Sequence, residues 1–165
     1  MIFETLLSDI VATVVGGIIL TILFFLFREK CFALPQLNGK WHFMVETKNS
    51  DYNPYKGMCL EYVVMLWLED NKIHGTYEKV YENSSTGERE YTGSKRTRGT
   101  IEGSIEKKYL SKDIVNLHLI EEGKQRTSTT SQSLVCETLQ KQLVGTFHST
   151  VANQSGIVKW QRNQF

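Results

Sequence analysis

Eighteen consecutive residues without a charge, Ile10 to Phe27 (IVATVVGGIILTILFFLF), constrain this chain more than any other feature. As a helix they would extend about 27 Å, close to the roughly 30 Å hydrocarbon thickness of a bilayer. Leu6 and Leu7 can lengthen the run by about a turn. A soluble helix needs a polar face, and this stretch has none. The run reads as a permanent membrane anchor over residues 1–30, followed by a linker over 31–38 and a domain over 39–165.

A cleaved signal peptide is the main rival for this segment. It requires a basic stretch before the apolar run and a small-x-small exit after it. Here MIFETLLSD carries Glu4 and Asp9 but no Lys or Arg, and Arg28, Glu29 and Lys30 follow Phe27 directly. The basic residues Arg28, Lys30 and Lys40 all lie C-terminal to the span, so the positive-inside rule places the following domain in the cytoplasm. In a bacterium the membrane is then the inner one, with its lipid as a partner. Thr13, Gly17 and Thr21 fall on one helical stripe beside Ala12 and Gly16. Small residues four apart let helices approach closely in lipid. No ionisable residue sits inside the span, so any pore would need several copies.

Beyond residue 30 the domain keeps 17 of the 19 Lys and Arg and 15 of the 18 Asp and Glu. That near balance excludes a polybasic binder of DNA or RNA polymers, while leaving room for a small anionic ligand. Cys31, Cys59 and Cys136 form no C-x-x-C pair and imply no disulfide framework.

Alternation of β-branched and aromatic residues dominates the rest. Gly39–Lys48 places Trp41, Phe43 and Val45 on one face. Met58–Glu69 is apolar on both faces, turns at Asp70-Asn71, and returns as Lys72–Tyr81, with Gly75 marking a bulge or a close approach. Asn83–Lys95 is polar and reads as a loop. Arg98–Glu106, Ile114–Glu121, Arg126–Leu139, Val144–Val151 and Gly156–Arg162 read as further strands, with a turn at Glu122-Gly123-Lys124. About eight short antiparallel strands predict an all-β fold, a small up-and-down barrel with room for side chains or one small ligand.

Catalytic signatures are absent: there is no G-x-S-x-G, H-E-x-x-H, P-loop or G-x-G-x-x-G. His42, His74, His118 and His148 are scattered, so neither a metal site nor a cofactor is expected, and the chain reads as a non-enzyme. Candidate ligand-binding residues are Tyr77, Arg98, Arg126, Thr127, Ser149, Thr150, Trp160 and Arg162. Arginine offers a planar donor fork to phosphate, hydroxyls fill remaining acceptors, and an aromatic face stacks a nucleobase. The same residues equally suit ordinary barrel roles, with Trp160 in the core and the arginines on the surface.

Several short motifs occur in order after the anchor: L-x-G-x-W (Leu37, Gly39, Trp41), I-x-G-x-Y (Ile73, Gly75, Tyr77), G-T-F-H-S-T-x-A (Gly145 to Ala152) and G-x-x-x-W-x-R (Gly156, Trp160, Arg162). With these the chain resembles the membrane-anchored β-barrel effectors of CBASS antiphage systems, the CD-NTase-associated receptors with a minimal barrel. Some of those relatives carry two membrane helices where this chain has one. The resemblance implies a cytoplasmic barrel that binds a cyclic oligonucleotide, most simply a cyclic dinucleotide. Ligand-driven homo-oligomerisation then lets the membrane helices breach the inner membrane, and the infected cell dies. Two other readings remain open: a tethered lipocalin-like barrel for an apolar small molecule, and a structural single-pass assembly protein.

Overall fold

With no proline before Pro35 and no charge between Ile10 and Phe27, the N-terminal run folds as one uninterrupted helix, α1, Ile2–Cys31. In the computed structural model the described residues are 2–31, 36–70, 72–108, 111–122, 127–137 and 142–165. Contacts divide the chain into Met1–Ala33 and Leu34–Phe165. Within α1, Leu7–Phe27 is 21 residues long and apolar enough to cross a membrane, and its side chains are exposed throughout. The hydroxyls of Thr13 and Thr21 donate back to the carbonyls of Asp9 and Gly17, each at 2.8 Å. That bonding satisfies both hydroxyls within the helix itself.

The second unit is a closed antiparallel barrel. Its strands are β1 (Gly39–Asn49), β2 (Cys59–Glu69), β3 (Lys72–Ser84), β5 (Arg98–Glu106), β6 (Ile114–Glu122), β7 (Thr127–Glu137), β8 (Gln142–Ser149) and β9 (Gln154–Gln161). Each pairs with its sequence neighbour, and β9 returns to β1, closing an eight-stranded up-and-down ring. Closure removes the free edges that would otherwise invite aggregation. A short β4 (Gly87–Glu90) pairs only with the far end of β3.

Alternation puts the expected residues inside. Trp41, Phe43 and Val45 on β1, Tyr62, Val64 and Leu66 on β2, and Val158 and Trp160 on β9 are buried. Phe43 lies between two rings, 4.4 Å from Tyr62 and 4.6 Å from Trp160, both nearly parallel to it. One end of the barrel is shut. Leu37 is buried there and its carbonyl accepts from Trp41 Nε1 at 2.7 Å. Arg162 stacks over Trp41 at 4.0 Å and donates to the carbonyls of Lys40 (2.8 Å), Asn38 (3.1 Å) and Gln36.

Locally the barrel departs from the sequence reading after Tyr81 and decides between its two alternatives at Gly75. The polar stretch after Tyr81 is not simply a loop: β3 runs on to Ser84 and turns through Ser85-Thr86 into β4. Both faces of this hairpin are largely solvated, so its sequence lacks the apolar alternation by which strands are recognised. Gly75 is a close approach rather than a bulge, since a Cβ there would lie 2.6 Å from Leu66 Cδ2 and 2.7 Å from the Met65 carbonyl oxygen. The bulge falls instead at Val80, where the register jumps from Tyr62–Lys79 to Glu61–Tyr81. Asn71 and the whole of Gly123-Lys124 lie outside the described residues. Asp70 does take the left-handed conformation, with φ 55°.

Candidate functional site

At the end opposite Leu37 the inward side chains do not fill the barrel, and a cup of about 530 Å³ remains. That volume lies within the range of ordinary small-ligand sites. Phe43, Tyr62, Tyr77, Leu119 and Phe147 give it aromatic and aliphatic surface. Ser128, Thr130, Gln132, Ser149 and Gln154 add hydroxyls and amides, and Lys79, Glu82 and Glu121 are its only charged side chains among the described residues.

Two backbone features build the charged side. Strict alternation would send Lys79 and Glu82 to opposite faces of β3. The extra residue at Val80 shifts the parity, so both face inward, opposite Tyr62 and Leu60 respectively. Lys79 Nζ then reaches Glu82 Oε2 at 3.1 Å, and Tyr91 Oη donates to the same oxygen at 2.9 Å. Tyr91 follows β4, so this contact also pins the hairpin segment to the cup. The second feature is Gly99 on β5, between Tyr77 and Glu121 in register. A Cβ at Gly99 would fall 2.4 Å from Tyr77 Cζ, so only glycine lets the Tyr77 ring lie across β5.

The two carboxyl groups are shifted in opposite directions. Burial by itself raises the Glu82 carboxyl, but the hydrogen bonds from Tyr91 and Lys79 outweigh it and hold the group below the usual carboxylate range. Burial pushes the Glu121 carboxyl up, and the charge of Lys79 offsets this only in part. Among the described residues no hydrogen bond or ion pair engages Glu121. Burial, reinforced by Glu121, also pushes the Tyr62 and Tyr77 phenols well above their ordinary values, so both remain protonated donors.

A carboxyl raised in the folded state costs stability once it ionises, and that cost grows as pH rises through its folded value. Glu121→Gln is therefore expected to raise the melting temperature of the barrel by a few degrees at pH 7, with the gain shrinking as pH falls toward 4. Thermal unfolding of the two proteins across that range checks it; a gain that does not depend on pH would contradict this account of Glu121.

Of the sequence-predicted ligand residues, Tyr77 and Ser149 line the cup. Thr127 is exposed and points outward, while its neighbour Ser128 points in. Thr150 is exposed and accepts a hydrogen bond from the Thr129 amide at 3.2 Å, holding the β8–β9 connection. Arg98 is on the outer surface, ion-paired with Glu78 at 2.9 Å. Trp160 faces inward but is fully buried beneath Phe43, and Arg162 clamps the shut end. Arg126 lies outside the described residues. Lys79, Glu82, Glu121 and Gln132 were not among the sequence candidates. The cup thus holds no arginine fork among the described residues: its one cation is bound to Glu82.

Among the described residues no group of three His, Cys, Asp or Glu side chains is placed to hold a metal ion. No protein-family model, curated protein or solved structure matches this chain. The cup and the apolar helix therefore carry the functional reading.

Proposed function

We propose that this chain is a membrane-anchored receptor whose barrel binds a cyclic oligonucleotide, most simply a cyclic dinucleotide, and converts binding into membrane damage, as the CBASS effectors it resembles do. The mixed lining of the cup is the observation that carries this reading. Aromatic side chains supply surfaces for stacking bases. Neutral hydroxyls and amides, the groups that commonly contact phosphate and sugar, stand beside them. A lipocalin-like site for an apolar ligand needs a dry, apolar interior, and eight polar or charged side chains from Lys79 to Gln154 argue against one.

In this reading α1 spans the inner membrane and the barrel faces the cytoplasm, where the messenger is made. Ligand-bound barrels associate, which raises the local concentration of helices that otherwise meet only weakly. The stripe Thr13, Gly17 and Thr21 is uncovered, with no atom within 4 Å of a Cβ placed on Gly17, so it is free to pack against another copy. No catalytic step, metal, cofactor or nucleic-acid polymer enters the scheme.

Thermal shift of the full chain in detergent, against a panel of cyclic di- and trinucleotides and a fatty acid, tests the proposal. A cyclic nucleotide at 100-fold over its Kd is expected to stabilise the barrel by about 2.7 kcal/mol, and sedimentation of the same sample is expected to show a larger assembly. Stabilisation by the fatty acid alone would favour the lipocalin-like reading.

A further inference from the structure

Among the described residues, two of the polar groups lining the cup stand out for unused hydrogen-bonding capacity. One is the Glu121 carboxylate on the wall. Its flanking positions in the sheet are Gly99 and Ser128, so no bulky neighbour on either strand covers it. The other carboxylate, Glu82, already holds Lys79 and Tyr91 and is spent. The second unused group is Gln132 Nε2. Gln132 lines the cup yet is only 3% exposed. Its Oε1 accepts from Trp160 Nε1 at 2.9 Å, and its Nε2 has no partner. A flipped amide would set its N–H groups against the indole N–H, so the Trp160 contact fixes which end points away. Buried donors are almost always satisfied, and an exception calls for an explanation.

Among the described residues the cup therefore offers an unpartnered carboxylate on its wall, an unpartnered amide donor on Gln132, and aromatic side chains in the same lining. A flat ring with two adjacent N–H donors on one edge and acceptors beside them is the complementary shape. Among nucleobases guanine alone has it: N1–H and the N2 amino group donate side by side, and O6 and N7 accept. Adenine turns a bare ring nitrogen toward the carboxylate beside its one amino group, and uracil places a single N–H between two carbonyls. We propose that Glu121 is a specificity-determining residue that reads the donor edge of a guanine base, so that the messenger contains guanine. This rests on the cup being a cyclic-nucleotide site.

Isothermal titration of the full chain in detergent with cyclic di-GMP, cyclic di-IMP and cyclic di-AMP tests the assignment. Cyclic di-IMP lacks only the N2 amino group. Wild type is expected to bind cyclic di-GMP about 10–100-fold more tightly than cyclic di-AMP, with cyclic di-IMP between them, because a hydrogen bond to a charged group is worth about that much. In Glu121→Gln, still folded by its melting curve, the preference is expected to collapse to about threefold or less. Equal or better binding of cyclic di-AMP by wild type would overturn the guanine assignment while leaving the receptor reading intact. So would a Glu121→Gln variant that weakens cyclic di-GMP and cyclic di-AMP alike, since that is the behaviour of a carboxylate holding a ribose hydroxyl. Binding of none of the three, with a cyclic trinucleotide also inert, would overturn the receptor reading itself.

Discussion

Trp160→Ala is expected to cost about 3–5 kcal/mol of barrel stability, the range for truncating a fully buried large aromatic. A domain of this size has only about 5–15 kcal/mol in total, so much of the population unfolds under mild denaturant. Three losses coincide. The indole is fully buried, it is one outer member of the Tyr62–Phe43–Trp160 stack, and its Nε1 satisfies Gln132 Oε1. Removing it leaves a cavity under Phe43 and a second unpaired atom on a buried amide. Trp160→Phe separates these contributions: it keeps a ring on Phe43 but strands the amide, at an expected cost of about 1–3 kcal/mol. Urea unfolding followed by circular dichroism measures both. A loss below about 1 kcal/mol for the alanine variant would mean that Trp160 is not a core residue. Because Phe43 and Tyr62 line the cup, the phenylalanine variant also reports how far the packed stack supports the ligand site.

The second large effect concerns α1. Val14→Arg together with Ile18→Arg places two guanidinium groups near the middle of Leu7–Phe27. Each costs about 2.5–3.5 kcal/mol at the centre of a spanning helix on insertion scales, and the pair sits on one face, four residues apart. The double variant is expected to lose carbonate-resistant membrane association, together with any killing that the wild-type chain causes when a cyclic-nucleotide source is present. The barrel should keep its own melting transition, because none of its core residues lies in α1. Retained membrane association would refute the spanning reading. Lost association with undiminished killing would refute the link between anchoring and damage.

Much of the fold was legible because both of its signals are one-dimensional. An uninterrupted apolar run specifies a lipid-compatible helix wherever it occurs. Alternation specifies which residues of a strand share a face, and Trp41, Phe43, Tyr62, Tyr77 and Trp160 all face inward as their parity requires. The site was far less legible. Trp160 is buried against Phe43 and Gln132, and Arg162 belongs to the shut end of the ring. Nothing in alternation states at which height of a closed barrel an inward residue will lie, or which inward residues will be covered by others.

The charged side of the cup was hidden for a more local reason. Lys79 and Glu82 reach the same face only because Val80 is bulged, and a single extra residue reverses every assignment of side that follows it. Among the described residues Glu121 is without a bulky cross-strand neighbour only because the sheet register sets Gly99 and Ser128 on either side of it. The amino-acid sequence by itself determined that there is an apolar span and that the remainder alternates into a barrel, since both follow from periodicity along the chain. Which end of that barrel stays open, and which polar groups are left without a partner there, was decided only by ring closure, where side chains from non-neighbouring strands compete for the same interior volume.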